Sequence, residues 1–244
     1  MFERAAIKQC ASCIMLPLQL LLILLLSIAA RSGHGLLLEY PMTILKAPYM
    51  ASVGKCDAVI VSRSLVLASA SCICKEKRPT KVIVGTSWNN LDHYPKNGHQ
   101  VVDVISEKNN GYCAQGIRSD FLLIRISPPI TYSHTTRAIG LHCSSSVPEQ
   151  LAALGFHLPG RNYGFLSEAV VNVKRGEHRY LIALNNDIPS NSVGPLVSRE
   201  AQPRLFGMYS HRYGTRSYFK SLDSTSCNWI NRYIKAAEEA RRIK

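Results

Sequence analysis

At 244 residues and 46% hydrophobic content, the chain can bury a sizeable core, and one domain is the expected organisation for an all-β chain of this size. Its formal net charge of +13 favours anionic partners, namely acidic proteins, sulfated glycans or membrane surfaces, through a field that salt screens. The cations are scattered over 75–81, 174–179 and 212–220, with a denser tail at Arg241, Arg242 and Lys244; no compact basic motif with stacking aromatics appears, which disfavours nucleic-acid binding.

Ile14 to Ala30 is an apolar run ending in small residues, preceded by Arg4 and Lys8 and followed by Arg31. It reads as a secretory signal peptide over residues 1–30, cleaved near Ala30. The alternative is an uncleaved signal anchor, because the run approaches the length that spans a bilayer. Cleavage removes only Glu3, Arg4 and Lys8 from the charged set, so the secreted body stays strongly basic.

Six cysteines follow this segment, at Cys56, Cys72, Cys74, Cys113, Cys143 and Cys227. An even count behind a signal peptide is what an oxidised framework requires. A metal site at Cys72 and Cys74 is disfavoured, since the usual C-x2-C pairs at matched spacing are missing. No cofactor or metal is expected.

After residue 40 the pattern is of short, often β-branched runs ending at Gly, Pro, Asn or Ser. The expected strands, in chain order, are Tyr49 to Val53, Ala58 to Val61, Leu65 to Ala68, Lys81 to Val84, Gln100 to Ile105 and Phe121 to Ile126. Leu151 to Leu154, Ala169 to Val173, Tyr180 to Ala183, Leu196 to Ser198, Leu205 to Tyr209 and Tyr218 to Leu222 follow, which suggests an antiparallel barrel or sandwich. From Cys227 to Arg242, Trp229, Ile230, Tyr233, Ile234 and Ala237 recur at helical spacing, predicting an amphipathic helix that packs on the body.

Three separated motifs, in order, resemble those of the trypsin and chymotrypsin family of serine peptidases. Ser64-Leu65-Val66-Leu67-Ala68-Ser69-Ala70-Ser71-Cys72 is similar to W-V-L-T-A-A-H-C. Ser119-Asp120-Phe121-Leu122-Leu123-Ile124-Arg125-Ile126 is similar to N-D-I-A-L-L-R-L. Ser190-Asn191-Ser192-Val193-Gly194-Pro195-Leu196-Val197 is similar to G-D-S-G-G-P-L-V. Leu205 to Ser210 resembles the strand after the nucleophile loop, and Trp229-Ile230 the W-I of the terminal helix. The resemblance spans about residues 36 to 240 and implies one trypsin-like domain over 31–244. It implies an all-β fold of two six-stranded antiparallel barrels with a C-terminal helix. It also implies bridges Cys56–Cys72 and Cys143–Cys227, leaving Cys74 with Cys113.

Carried over residue by residue, Asp120 and Ser192 stand where the family keeps its carboxylate and nucleophile, and Ser71 stands where it keeps the histidine. A serine hydroxyl cannot act as a base near neutral pH. Asn191 replaces the aspartate that pairs with the new amino terminus on activation, and Leu36 to Glu39 lacks the matching activation sequence. Ser190 and Val193 replace glycines of the anion-binding turn. Asn186, Arg212 and Ser217 fall at altered specificity-pocket positions, where Arg212 is long enough to fill the pocket itself, and Ile188 replaces a cysteine. Without its histidine, Asp120 reads as a buried carboxylate bonded to Ser71 and Ser192. His99 and His211 are the candidates to lie near the cleft, with a surface or loop placement as the expected outcome for each histidine.

These positions imply a catalytically inactive homologue, similar to the short single-domain members common in insect secretions, that acts by binding. A cofactor, scaffold or decoy in an extracellular proteolytic cascade, immune or reproductive, is the expected role. Its partners would be extracellular proteins such as active serine proteases or their zymogens, with an anionic glycan as a further partner and no membrane contact after cleavage. The alternatives are a weak serine endopeptidase using Ser192 with a non-standard base, and a basic glycan-binding module holding sulfated glycans through Arg241, Arg242 and Lys244.

Overall fold

Runs of Val, Ile, Leu and Ala broken by turn residues form strands in the order read from the sequence. The computed structural model describes residues 40–74, 79–88, 100–109, 121–157, 163–183 and 194–242. The segment read as a signal peptide, the residues Ser190 to Val193 read as a nucleophile loop, and Cys113, Asp120, Asn186, Ile188, His99 and Lys244 lie outside the described residues. Among the described residues no helix is long and apolar enough to cross a membrane.

Six strands close the first barrel: β2 (Met50–Val53), β3 (Cys56–Ser62), β4 (Leu65–Ser69), β5 (Lys81–Val84), β6 (Gln100–Asn109) and β7 (Phe121–Ser127). They pair in the order β2-β3-β4-β7-β6-β5. The second barrel is built from β9 (Gln150–His157), β10 (Tyr163–Arg175), β11 (Tyr180–Ala183), β12 (Pro195–Val197), β13 (Arg204–Tyr213) and β14 (Arg216–Ser221). It closes because β9 pairs with both β10 and β12. Two-residue strands flank this barrel, β1 (Tyr40–Pro41) on β10 and β8 (Gly140–Leu141) alongside β13. Both escaped the sequence reading, because two residues carry no periodicity and their pairing depends on a distant partner.

Strands β3 and β4 are buried on both faces, and period-two alternation sorts their side chains into two cores. Ala58, Ile60, Val66 and Ala68 fill the first barrel. Val59, Val61, Leu65 and Leu67 point the other way, onto Leu154, Phe156, Val197 and Met208 of the second barrel. This is why these segments read as continuous apolar runs rather than as alternating ones.

A short helix, α1 (Ala70–Ile73), follows β4 directly. The terminal helix, α2 (Ser224–Arg242), buries Cys227 and Ile230 in the inter-barrel core, with Trp229 and Tyr233 packed beside them. It starts three residues before the expected Cys227 because Asp223 caps it: the Ser226 backbone N–H donates to Asp223 Oδ1 at 2.7 Å. Burial raises the Asp223 pKa, but hydrogen bonds from Ser226 and the charges of Arg179 and Lys220 outweigh it and hold the carboxyl below its ordinary range.

Asp223→Ala is expected to lower stability by about 1 kcal/mol at neutral pH. With a depressed folded-state pKa, the contribution is present above the ordinary carboxylate value of about 4 and fades as pH falls through the folded value. Denaturation of wild type and variant at neutral and strongly acid pH checks both parts, since the difference between them should shrink in acid.

Two bridges fasten this frame. Cys56 is bonded to Cys72, joining β3 to α1, and Cys143 is bonded to Cys227, joining the segment after β8 to α2. Cys74 is also disulfide-bonded.

Candidate functional site

Ser71 sits in the first turn of α1, held in place by the bridge at the neighbouring Cys72. Its hydroxyl donates to the Ser210 carbonyl oxygen at 2.9 Å, a bond from the first barrel to the second across 139 residues of sequence. Ser69 Oγ lies 2.8 Å from Ser71 Oγ. A carbonyl only accepts and a hydroxyl has one proton, so Ser69 is the donor in a chain running Ser69, Ser71, Ser210. Ser69 precedes α1 but makes no side-chain cap, having turned its hydroxyl to Ser71 instead.

Ser210 is presented by a β-bulge. On β13, Tyr209 pairs with Phe219 and His211 with Tyr218, which leaves Ser210 as the extra residue. Such an insertion bends the strand and re-aims its groups. The sequence reading ended this strand at Tyr209, and the bulge is what lets it run on to Tyr213.

Gly194, immediately before β12, is packed on three sides. Its N–H donates to Leu154 O and its carbonyl accepts from Tyr209 N, both at 2.9 Å. A Cβ here would lie 2.5 Å from Asp57 Cβ and 3.0 Å from Leu154 O. Both obstacles belong to packed strands, so Gly194→Ala is expected to lower stability by about 2 kcal/mol through overpacking. A denaturation midpoint equal to wild type would show that β3 and β9 separate freely at this point.

Asp57 itself was not singled out from the sequence. It is a buried carboxylate in an apolar strand, and its Oδ1 accepts from the Phe156 backbone N–H at 3.1 Å, tying the first barrel to the second beneath Gly194. A lone acidic residue inside Cys56 to Val61 was the available signal, since buried charges need partners.

Of the residues read as pocket positions, Arg212 and Ser217 face each other across β13 and β14. Ser217 is buried, and Arg212 Nε donates to the Gly214 carbonyl at 3.1 Å around the hairpin turn, where Gly214 adopts φ +55°. His211, on the opposite face, is half-buried in strand β13. Its ring stacks on Tyr218 at 4.7 Å, meets Tyr180 edge-on at 5.4 Å, and brings Nδ1 within 3.1 Å of Ser210 Oγ.

Two closed six-stranded barrels, an inter-barrel seam carrying Ser71 and Ser210, and a helix closing the chain define a family when combined with the sequence match. The Trypsin family model aligns with residues 40–218. The chain belongs to the trypsin family. Solved structures with this fold include human heparin binding protein, at 17% identity and TM-score 0.65, covering 79% of this chain and 94% of that one. A mutant of human heparin binding protein (CAP37) gives TM-score 0.68 at 17% identity, covering 81% and 96%. In this trypsin-family chain the seam between the barrels carries a hydrogen-bonded chain from Ser69 through Ser71 to the Ser210 carbonyl.

Proposed function

We propose that this chain is a secreted, non-catalytic member of the trypsin family that works by binding extracellular partners. The observation that carries the reading is the Ser71 hydroxyl, committed to Ser210 O at the general-base position. Ser190, Asn191 and Val193 in the nucleophile loop support it, because each replaces a residue the family uses for the oxyanion site or for activation. The apolar run Ile14 to Ala30 and the bridged cysteines support export to an oxidising compartment.

Active serine proteases or their zymogens are the protein partners this reading favours, with the chain acting as cofactor, scaffold or decoy. A sulfated glycan is the second partner class, favoured by the net charge of +13 and by the fold shared with human heparin binding protein. The test is reaction of the secreted protein with a fluorescent fluorophosphonate beside a Ser192→Ala control. No labelling is expected, and Ser192-dependent labelling would overturn the non-catalytic reading.

A further inference from the structure

The cations that looked scattered in sequence meet on one face of the second barrel. On β14, Arg216, Tyr218 and Lys220 alternate with the buried Ser217 and Phe219, so all three point outward. Register places Tyr180 of β11 opposite Lys220, and Ile182 opposite both Tyr218 and Lys174 of β10. Across the hairpin, Tyr213 pairs with Arg216 and is 78% exposed, the most exposed large apolar side chain among the described residues. Lys174 and Arg216 have no ion pair among the described residues. The rings are ordered: Tyr180 meets Tyr218 edge-on at 6.0 Å, and Lys220 Nζ lies 4.8 Å over the Tyr180 ring.

Beyond the end of β14 lies a cavity of about 210 Å³ lined by Arg175, Arg179, Asp223, Ser144, Ser145 and Ser221. Arg175 donates to the Ser145 carbonyl, and Arg179 pairs with Asp223 at 2.5 Å. The turn that delivers Arg179 is unusual, with His178 and Arg179 both at positive φ, 54° and 65°. Successive non-glycine residues in that region carry strain, and the Arg179–Asp223 pair together with the Ser221 hydroxyl on the Arg179 carbonyl holds them there. The carboxylates nearby are Asp223, already paired, and the exposed Glu177, so positive charge dominates.

We infer that a sulfated glycan binds along the outer face of β11 and β14, with one sulfate entering the Arg175–Arg179 cavity and a sugar ring lying against Tyr213. Planar guanidinium groups match the oxygens of a sulfate. Serine hydroxyls suit sugar hydroxyls, and tyrosine faces suit the C–H faces of a pyranose. A protein partner would need a broad apolar centre to bury, and this face offers only one small cluster of half-buried Tyr180, Ile182, His211 and Tyr218 beside Lys174, Arg216 and Lys220. Arg216 to Lys220 spans about 13 Å of strand, a length over which an extended chain meets several cations in turn.

The inference rests on the binding reading above and deepens it by giving the sulfated glycan its surface. The test is fluorescence anisotropy with a labelled heparin octasaccharide and its desulfated counterpart, using the full chain produced in a secreting host, at an ionic strength of about 0.15 M. Arg175→Ala/Arg179→Ala is expected to weaken binding about tenfold. Lys174→Ala/Arg216→Ala, which touches only exposed side chains, should weaken it severalfold and does not depend on how well the strained turn tolerates change. Arg241→Ala/Arg242→Ala on α2 removes the same charge and is expected to alter binding less than about twofold.

Equal losses in all three variants would overturn the site, as would equal affinity for the desulfated oligosaccharide or for polyglutamate. Fluorophosphonate labelling of the same samples reports separately on the non-catalytic reading, so the two fail independently.

Discussion

Removing the Cys143–Cys227 bridge by a double change to alanine is expected to lower stability by about 4 kcal/mol and the melting midpoint by about 10 °C. The bridge closes a loop of 84 residues, so opening it returns much conformational freedom to the unfolded chain. Cys56 and Cys72 are separated by only 16 residues, and opening their bridge is expected to cost about 3 kcal/mol. The longer bridge also anchors α2, whose Cys227 and Ile230 are buried beside the inter-barrel core. Chemical denaturation gives the stability change, and limited proteolysis gives the location, with first cuts in α2. A double variant as stable as wild type would show that Trp229, Ile230 and Tyr233 hold the helix unaided.

Peptide hydrolysis is expected to run about a million-fold below an intact triad, the scale seen when the base of such a triad is removed. Ser71→His is expected to leave the protein at least about a hundredfold short of a working enzyme, because the imidazole alone does not rebuild an oxyanion site altered at Ser190 and Val193. The variant also deletes the Ser71 bond to Ser210 O, so the seam loses a barrel-to-barrel contact as it gains a ring. Rates on a peptide panel, with Ser71→His/Ser192→Ala as the control, check this. Full activity in the single revertant would show that Ser71 is the only lesion.

Much of the fold was legible because its signals are local. Lys81–Val84 and Tyr180–Ala183 match their expected limits, since each is a short apolar run with a clear stop. The Cys56–Cys72 bridge beside Ser71 was legible for a similar reason: it sits in a short motif. Strand lengths were less legible, because a strand such as β10, Tyr163–Arg175, extends as far as partners on β9 and β11 continue.

By itself the sequence determined the family and the likeness of its motifs, both of which depend on residue identity over short spans. Only the tertiary structure decided that Ser210 lies on a bulge where it receives Ser71, that Asp57 clasps the second barrel beneath Gly194, and that Lys174, Tyr180, Arg216, Tyr218 and Lys220 share one face. Those placements follow from register between strands far apart in the chain, and a one-residue shift in any pairing would turn these side chains to the other face.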